Sequence, residues 1–201
     1  MPTPEKITLY HEKSLLDKVI DSTATQDAPL SQSNLNKIYV AAQVQAGIDK
    51  YRLAAKEMSE EDLLTEGHNS SLLGFHLEQS GSFRPPRCHA HAVIAGRHPQ
   101  AAQLRVIMAV VKIRIDDSDN GCWLPENTAA TPHPSFPSAP PHSRIHRSNY
   151  FFWLFSRLGS LRNEGLFRTN LQIVTNLLQQ GKLPNYVMLP KGVGLPQGRR
   201  I

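Results

Sequence analysis

The feature that most constrains the fold of this chain is a set of three short stretches in its second half. The first, Cys88 to Ala95, holds two histidines and ends in Val and Ile, which is the composition of a β-strand. The second begins with the turn signal Asn120-Gly121 and continues as a short apolar strand. In the third, His142 and His146 are four residues apart, so that on a helix they share one face. Two strands followed by a helix can bring these histidines to one metal ion.

Most of the remaining chain has apolar residues at helical spacing, which predicts an α+β fold that is mostly helical. The segment from Glu126 to Pro141 holds five prolines and no periodicity, and it is predicted to be a mobile surface loop. The tail from residue 184 to 201 is predicted to be irregular. The predicted helices cover His11 to Ile20, Ser31 to Ala55, a short segment after Ser59, Gln100 to Ile113, His142 to Leu158, and Asn163 to Gln180.

The net charge of +5 is distributed unevenly along the chain. Residues 1–80 carry seven basic and twelve acidic side chains, whereas residues 81–201 carry fifteen and five, and twelve of those fifteen are arginine. Arginine pairs with phosphate in a bidentate manner, so a basic segment around histidines indicates a polyanionic substrate. An ordinary solvated surface is the alternative. The sequence thus predicts an acidic helical N-terminal region, 1–80, and a basic domain, 81–201.

Several protein classes are disfavoured by the sequence. No apolar run approaches the roughly 18 residues of a membrane span, so no membrane association is predicted. Met1 to Lys6 lacks a signal-peptide pattern, and export is expected to use another route or another part of a larger polypeptide. Cys88 and Cys122 form neither a disulfide framework nor a CxxC metal site, and both are predicted to be buried thiols.

The stretch from about residue 86 to about residue 158 resembles the AHH nucleases. These are toxin modules of bacterial polymorphic toxin systems within the HNH/endonuclease VII (His-Me finger) superfamily. The resemblance implies a ββα-metal finger with additional helices and an N-terminal helical region, and one divalent metal ion, which could be Zn, Mg, Ni or Mn. The matching motifs are Ala90-His-Ala-Val-Ile-Ala-Gly96, Asn120-Gly-Cys-Trp-Leu-Pro125, and His142-Ser-Arg-Ile-His146 followed by Tyr150.

The resemblance also implies roles for individual residues. His91, His142 and His146 would ligate the metal ion, and Asn120 would hold the general base or stabilise the loop that faces it. The base itself belongs at position 92, where the family has a second histidine and this chain has Ala92. Loss of a general base costs on the order of 10²–10⁴-fold in rate, so this form is expected to be largely inactive.

Three explanations for Ala92 stay open. The substitution could be engineered so that a toxic protein can be produced, or the chain could be a naturally degenerate member. Alternatively, the register is different and His89 or His91 is the base. His89 and His91 would point to the same side of a strand, which does not reproduce two adjacent histidines with different roles.

The resemblance favours a DNA endonuclease toxin that is delivered into competitor bacteria and acts in the target cytoplasm. Its expected partners are DNA, a cognate immunity protein, and the rest of a larger secreted toxin or delivery protein. Arg97, Arg144 and Arg147 are candidates for phosphate contacts. Two alternatives are a non-catalytic nucleic-acid-binding domain with structural zinc and a degenerate domain that only binds an immunity protein. The remaining histidines are predicted to be surface or structural (His11, His68, His76), a turn residue (His98) or solvated (His133).

Overall fold

The computed structural model of the protein describes residues 13–26 and 29–196. In that part of the chain, eight α-helices surround one two-stranded antiparallel sheet. The strands are β1 (Cys88–Ala92) and β2 (Gly121–Pro125). The helices are α1 (Leu15–Ala24), α2 (Gln32–Glu57), α3 (Glu60–Thr65), α4 (Ser70–Gln79), α5 (Ala102–Val110), α6 (His142–Ile145), α7 (Ser148–Leu158) and α8 (Glu164–Gln179). The predicted fold class, α+β and mostly helical, is confirmed.

The two faces of the sheet pack against different helices. In the antiparallel register, His91 lies opposite Cys122 and Ala92 lies opposite Gly121. Because side chains alternate along a strand, residues 88, 90 and 92 share one face. On that face they form a small apolar cluster with Trp123 and with residues of α4, which packs on β1. The side chain of His91 points to the opposite side, toward α7.

The main hydrophobic core lies among α5, α7, α8 and the residues that follow β1. The buried positions of α7 recur every three or four residues, which gives this helix one apolar face. Tyr150, Phe151 and Trp153 are almost fully buried, whereas Phe155 is exposed. The core thereby fixes α7 beside β1, and this position defines the histidine site.

An ion-pair network joins α2 to the rest of the structure. Arg52 of α2 and Arg168 of α8 both contact Asp117 and Asp119, at 2.8–2.9 Å. Burial alone would raise the pKa of Asp117, but the charges of Arg52 and Arg168 outweigh it and hold that pKa below its usual value. A helix of the acidic region is therefore anchored beside the turn that leads into β2. The domain boundary after residue 80 stays a prediction.

Three predicted segments differ from the structure. The first strand ends at Ala92 instead of Ala95, because the next amides donate to Asn120: Val93 N to its carbonyl at 2.8 Å and Ile94 N to its side chain at 2.9 Å. The helix predicted over residues 100–113 begins with a 3₁₀ turn and ends at Val110. The helix predicted from residue 142 to 158 is interrupted after Ile145.

The proline-rich segment from 126 to 141 lies mostly at the surface, as predicted, but three of its side chains are not solvated. Ala130, His133 and Ala139 are all buried. The His133 ring donates from Nε2 to the carbonyl of Pro86 at 2.8 Å and accepts the amide of Ser135 at Nδ1. The prediction of a solvated His133 is therefore wrong, because this ring satisfies backbone groups that lead into β1.

Both cysteines are free, buried thiols, as predicted. Within residues 13–26 and 29–196, no helix has the length and apolar character of a membrane span. His11, the start of the predicted helix at residues 11–20, and the end of the predicted tail lie outside the described residues.

Candidate active site

His91 lies at the centre of the candidate site and is fully buried. Its Nε2 is 3.1 Å from the hydroxyl of Tyr150, and that hydroxyl donates to the carbonyl of Val93 at 2.9 Å. A tyrosine hydroxyl has only one hydrogen, so Nε2 of His91 must be the donor to Tyr150. Nδ1 of His91 then carries a lone pair, and this buried atom has no hydrogen-bond partner among the described residues. An unpartnered buried acceptor is rare, and its presence beside other imidazoles fits a metal-ligand nitrogen.

Two further imidazoles surround His91. The ring centroids of His91 and His146 are 5.0 Å apart, those of His91 and His142 are 5.4 Å apart, and those of His142 and His146 are 5.9 Å apart. Three imidazoles on a tetrahedral metal ion, with metal–nitrogen bonds of roughly 2.0–2.1 Å, have centroids about 5 Å apart. The spacing of the three predicted ligands is therefore compatible with one metal ion.

The three imidazole rings are not oriented as they would be around a bound metal ion. As they stand, no three His, Cys, Asp or Glu side chains in the described part of the chain form a group that could hold a metal ion. The ring planes of His142 and His146 are nearly perpendicular, at 75°. Binding would thus require ring rotations about χ angles. Rotation of a side chain costs little free energy compared with that gained on metal coordination, so the present ring orientations do not oppose a metal site at these three histidines.

The interruption of the helix between Ile145 and Ser148 sets the position of His146. The predicted placement of His142 and His146 on one helix face is wrong, because α6 is a single turn that ends at Ile145. His146 has φ −73° and ψ 70°, and the amide of Arg147 donates to the carbonyl of Ile145 at 2.7 Å, which is an inverse γ-turn. The two histidines therefore approach His91 from a one-turn helix and from the turn that follows it.

All three imidazoles are held in the neutral form. Burial, followed by the charges of His146 and His142, lowers the pKa of His91 well below its usual value. Burial and then His89 lower the pKa of His142. Desolvation and then the charges of His142 and His98 lower the pKa of His146 to about 4, although part of this residue is exposed. A metal ion binds neutral imidazole, so these shifts favour ligation at neutral pH.

Ala92 and Asn120 occupy the other predicted positions of the site. Ala92 lines a cavity of about 550 Å³ that His142 and His146 also line. The Asn120 side chain accepts from the amide of Ile94 and donates to the carbonyls of Ile94 and Ile115. Its hydrogen bonds thus hold the loop after β1, which is one of its two predicted roles.

The three predicted phosphate-binding arginines have different surroundings. Arg97 and Arg144 are exposed, and Arg97 lines the cavity beside the histidines. The guanidinium of Arg147 donates to the carbonyls of Arg144 and Met188, at 3.0 and 2.6 Å. Arg147 therefore links the start of α7 to the C-terminal segment, whereas Arg97 and Arg144 are exposed and Arg97 also lines the cavity.

Two further histidines also line the cavity. His98 caps the 3₁₀ turn that precedes α5, as expected of a turn residue, and its ring stacks on Phe151. His68, predicted to be a surface or structural residue, enters the cavity from the loop before α4 and bonds to Asp116. Nothing in the sequence indicates the pairing of His68 with Asp116, because 48 residues separate them. His76, by contrast, is buried and bonds to the Asp116 carbonyl, as a structural histidine would.

A family model matches residues 73–178 and describes AHH, a nuclease family of the HNH/ENDO VII superfamily with conserved AHH. The match begins within α4, contains both strands and ends in α8, and it covers just over half of the chain. Comparisons with curated proteins and with solved structures gave no match. Nucleases of this superfamily generally use a divalent metal ion. The chain belongs to the AHH nuclease family of the HNH/ENDO VII superfamily.

Proposed function

We propose that this protein is a metal-dependent endonuclease that hydrolyses phosphodiester bonds in DNA. The observation that carries the proposal is the convergence of His91, His142 and His146, with Nδ1 of His91 buried and without a partner in residues 13–26 and 29–196. Their imidazoles are neutral near pH 7, and they line or adjoin a cavity large enough for a phosphate group. Arg97 at the cavity rim and the exposed Arg144 provide positive charge for the DNA backbone.

Each part of the site has a defined task in this proposal. His91, His142 and His146 hold a divalent metal ion, which supplies Lewis-acid stabilisation of the charge that develops on phosphate oxygens. Asn120 fixes the backbone immediately after β1, so that the residues at the end of the strand keep their positions. Three imidazole ligands favour Zn²⁺ or Ni²⁺, whereas Mg²⁺ and Mn²⁺ prefer oxygen ligands.

Ala92 is the position at which this chain departs from its family. A methyl group cannot accept a proton, so the activation of water by the family's second histidine is absent here. We interpret the chain as a nuclease with an intact ligand set and a strongly reduced rate. An engineered His-to-Ala substitution and a natural degeneration both produce this result. The third explanation assigns the base to His89 or His91. His91 is fully buried and bonded to Tyr150, which disfavours it, whereas the half-exposed His89 ring contacts His142.

We further propose that the protein is a toxin delivered into competitor bacteria, where it acts on DNA in the cytoplasm. A producer of such a nuclease needs a cognate immunity protein, and an acidic partner would complement the net charge of +10 on residues 81–201. The N-terminal region is the candidate connection to a larger secreted toxin or delivery protein.

The decisive experiment is a plasmid-cleavage assay of the Ala92→His variant with a series of divalent metal ions. We expect the variant to cleave about 10²–10⁴-fold faster than the unchanged chain. His142→Ala in the same background should lose both cleavage and metal binding. If the Ala92→His variant binds metal and still does not cleave, the assignment of position 92 as the base position is wrong.

A second candidate function is favoured by Ala92 itself: a degenerate domain that binds nucleic acid or an immunity protein without cleaving. A nucleic-acid-binding domain with structural zinc would retain metal and bind DNA, yet stay inactive after Ala92→His. A domain that binds only an immunity protein would contain no metal after purification. Metal analysis together with the plasmid assay therefore separates these alternatives from the nuclease.

A further inference from the structure

A histidine–aspartate pair lies beside the cavity, and its histidine, His68, precedes the region that the family model covers. Nδ1 of His68 bonds to Oδ1 of Asp116, whose side chain is only 2% exposed. The other carboxylate oxygen of Asp116 accepts the amide of Asn69 at 2.8 Å, which fixes the carboxylate in place. An ionised carboxylate can only accept hydrogen bonds, so Nδ1 of His68 carries the proton and Nε2 is free to accept one. A buried carboxylate that orients an imidazole is the arrangement found in catalytic His–Asp pairs.

The pair lies on the side of β1 toward which residue 92 points. The side chain of Ala92 shares a strand face with Ala90, and that face packs against α4. His68 belongs to the loop that leads directly into α4, and it lines the same cavity as Ala92 and His146. A Cβ on Gly96 would lie 2.4 Å from Cβ of His68, so only glycine at position 96 lets His68 approach the end of β1 this closely.

His68 shares the cavity with two of the three ligand histidines without belonging to their cluster. His142 and His146 line this cavity together with His68, whereas His91 points to the other side of β1. Yet the ring contacts within 6 Å that join those three imidazoles do not include His68. A side chain that lines the same cavity but is outside the ligand cluster suits a proton acceptor better than a fourth metal ligand.

We propose that His68, oriented by Asp116, is the proton acceptor that replaces the missing histidine at position 92. A water molecule gives a proton to Nε2 of His68 while its oxygen forms a bond to phosphorus. The bond between phosphorus and the leaving oxygen breaks, and that oxygen takes a proton from solvent. His68 then releases its proton to solvent, so one water molecule is consumed for each phosphodiester cleaved. The inference rests on the proposed nuclease function.

The test is a double-mutant cycle that combines His68→Ala with Ala92→His in the full chain. In the unchanged background, we expect His68→Ala to lower the rate of plasmid cleavage by at least about tenfold, because it removes a general base. In the Ala92→His background, another base is available, and the same substitution should change the rate by less than about threefold. Added imidazole should restore part of the rate of the His68→Ala variant.

Two further measurements separate a proton acceptor from a ligand and from a structural residue. Titration calorimetry with Zn²⁺ should give the His68→Ala variant the same Kd within about threefold, because His68 is not a ligand, whereas His142→Ala should lose about 10-fold or more. His68→Gln, which retains a hydrogen-bond donor for Asp116, should unfold at the temperature of the unchanged chain and still lose cleavage.

Each contrary outcome has a distinct meaning. Loss of zinc affinity in His68→Ala, or an equal rate loss in both backgrounds, would overturn the proposed role. A larger loss on His89→Ala than on His68→Ala would assign the proton acceptor to His89 instead. If the unchanged chain never cleaves while the Ala92→His variant does, the inference is wrong and the nuclease function stands. If neither cleaves with metal bound, the nuclease function itself is wrong.

Discussion

Removal of the Tyr150 hydroxyl tests whether this group determines which ring nitrogen of His91 carries the proton. This hydroxyl accepts Nε2–H of His91 at 3.1 Å and donates to the carbonyl of Val93 at 2.9 Å, and both of those residues are fully buried. In the Tyr150→Phe variant, both groups lose their partner. His91 can then move its proton to Nδ1, but this removes the lone pair that we assign to the metal.

The expected effect has two parts. A buried polar group left without a partner costs about 1–3 kcal/mol, so two such groups should lower the free energy of unfolding by at least about 2 kcal/mol. Loss of a group that orients a metal-ligating histidine typically lowers metal affinity by about 10–100-fold, which is roughly 1.4–2.7 kcal/mol. The matched control is Tyr186→Phe, because Tyr186 is also partly buried and close to α7 but its hydroxyl has no hydrogen bond to the described residues.

Urea unfolding and zinc titration calorimetry measure the two parts separately. We expect Tyr150→Phe to unfold at lower urea and to bind zinc more weakly, and Tyr186→Phe to match the unchanged chain in both. Zinc affinity that stays the same in Tyr150→Phe, together with a normal fold, would refute the assignment of Nδ1 as the ligand atom.

Two other predictions concern the protonation of His146 and the ion pairs of Arg168 and Lys56. Because the pKa of His146 is about 4 in the folded state and about 6.5 when unfolded, the unfolded chain binds more protons between these values. The folded state should therefore lose stability as pH falls through this window. We expect the urea concentration at the unfolding midpoint to be lower at pH 5 than at pH 7.5. An equal decrease in the His146→Asn variant would contradict the assignment to His146. Arg168→Met leaves buried Asp117 with only Arg52 and should cost about 3 kcal/mol of unfolding free energy. Lys56→Met, at an exposed pair with Glu164, should cost at most about 1 kcal/mol; equal losses would refute the argument from burial.

The elements of the fold were predictable where local chemistry determines them. The Asn120-Gly121 turn signal marked the start of β2, and apolar periodicity marked α7 and α8. The errors occurred where tertiary contacts end an element early. β1 stops at Ala92 because the amides of the next two residues bond to Asn120, and α6 stops at a γ-turn. Neither contact has a signal in the residues on either side of it.

The metal-ligand residues of the candidate site could be predicted because they belong to the sequence motifs of the family. His91, His142 and His146 meet in the structure as their order along the chain implies. The prediction for His133 was wrong, because composition does not reveal that its ring donates to the backbone carbonyl of Pro86. His68 and Asp116 were not recognised as a pair, since a long-range contact between an acidic region and a basic one leaves no local pattern.

The arrangement of β1 separates metal binding from proton transfer. His91 points toward α7 and the other ligands, whereas Ala92 points toward α4 and the cavity that His68 enters. Adjacent residues on a strand face opposite sides, so loss of the imidazole at position 92 removes no contact from the ligand cluster. The methyl group of Ala92 instead packs with Leu73 and Trp123, and the strand keeps its register. Metal affinity measured on this chain therefore reports the ligand cluster, while the cleavage rate depends on the ligand cluster and also on the residues that face the cavity.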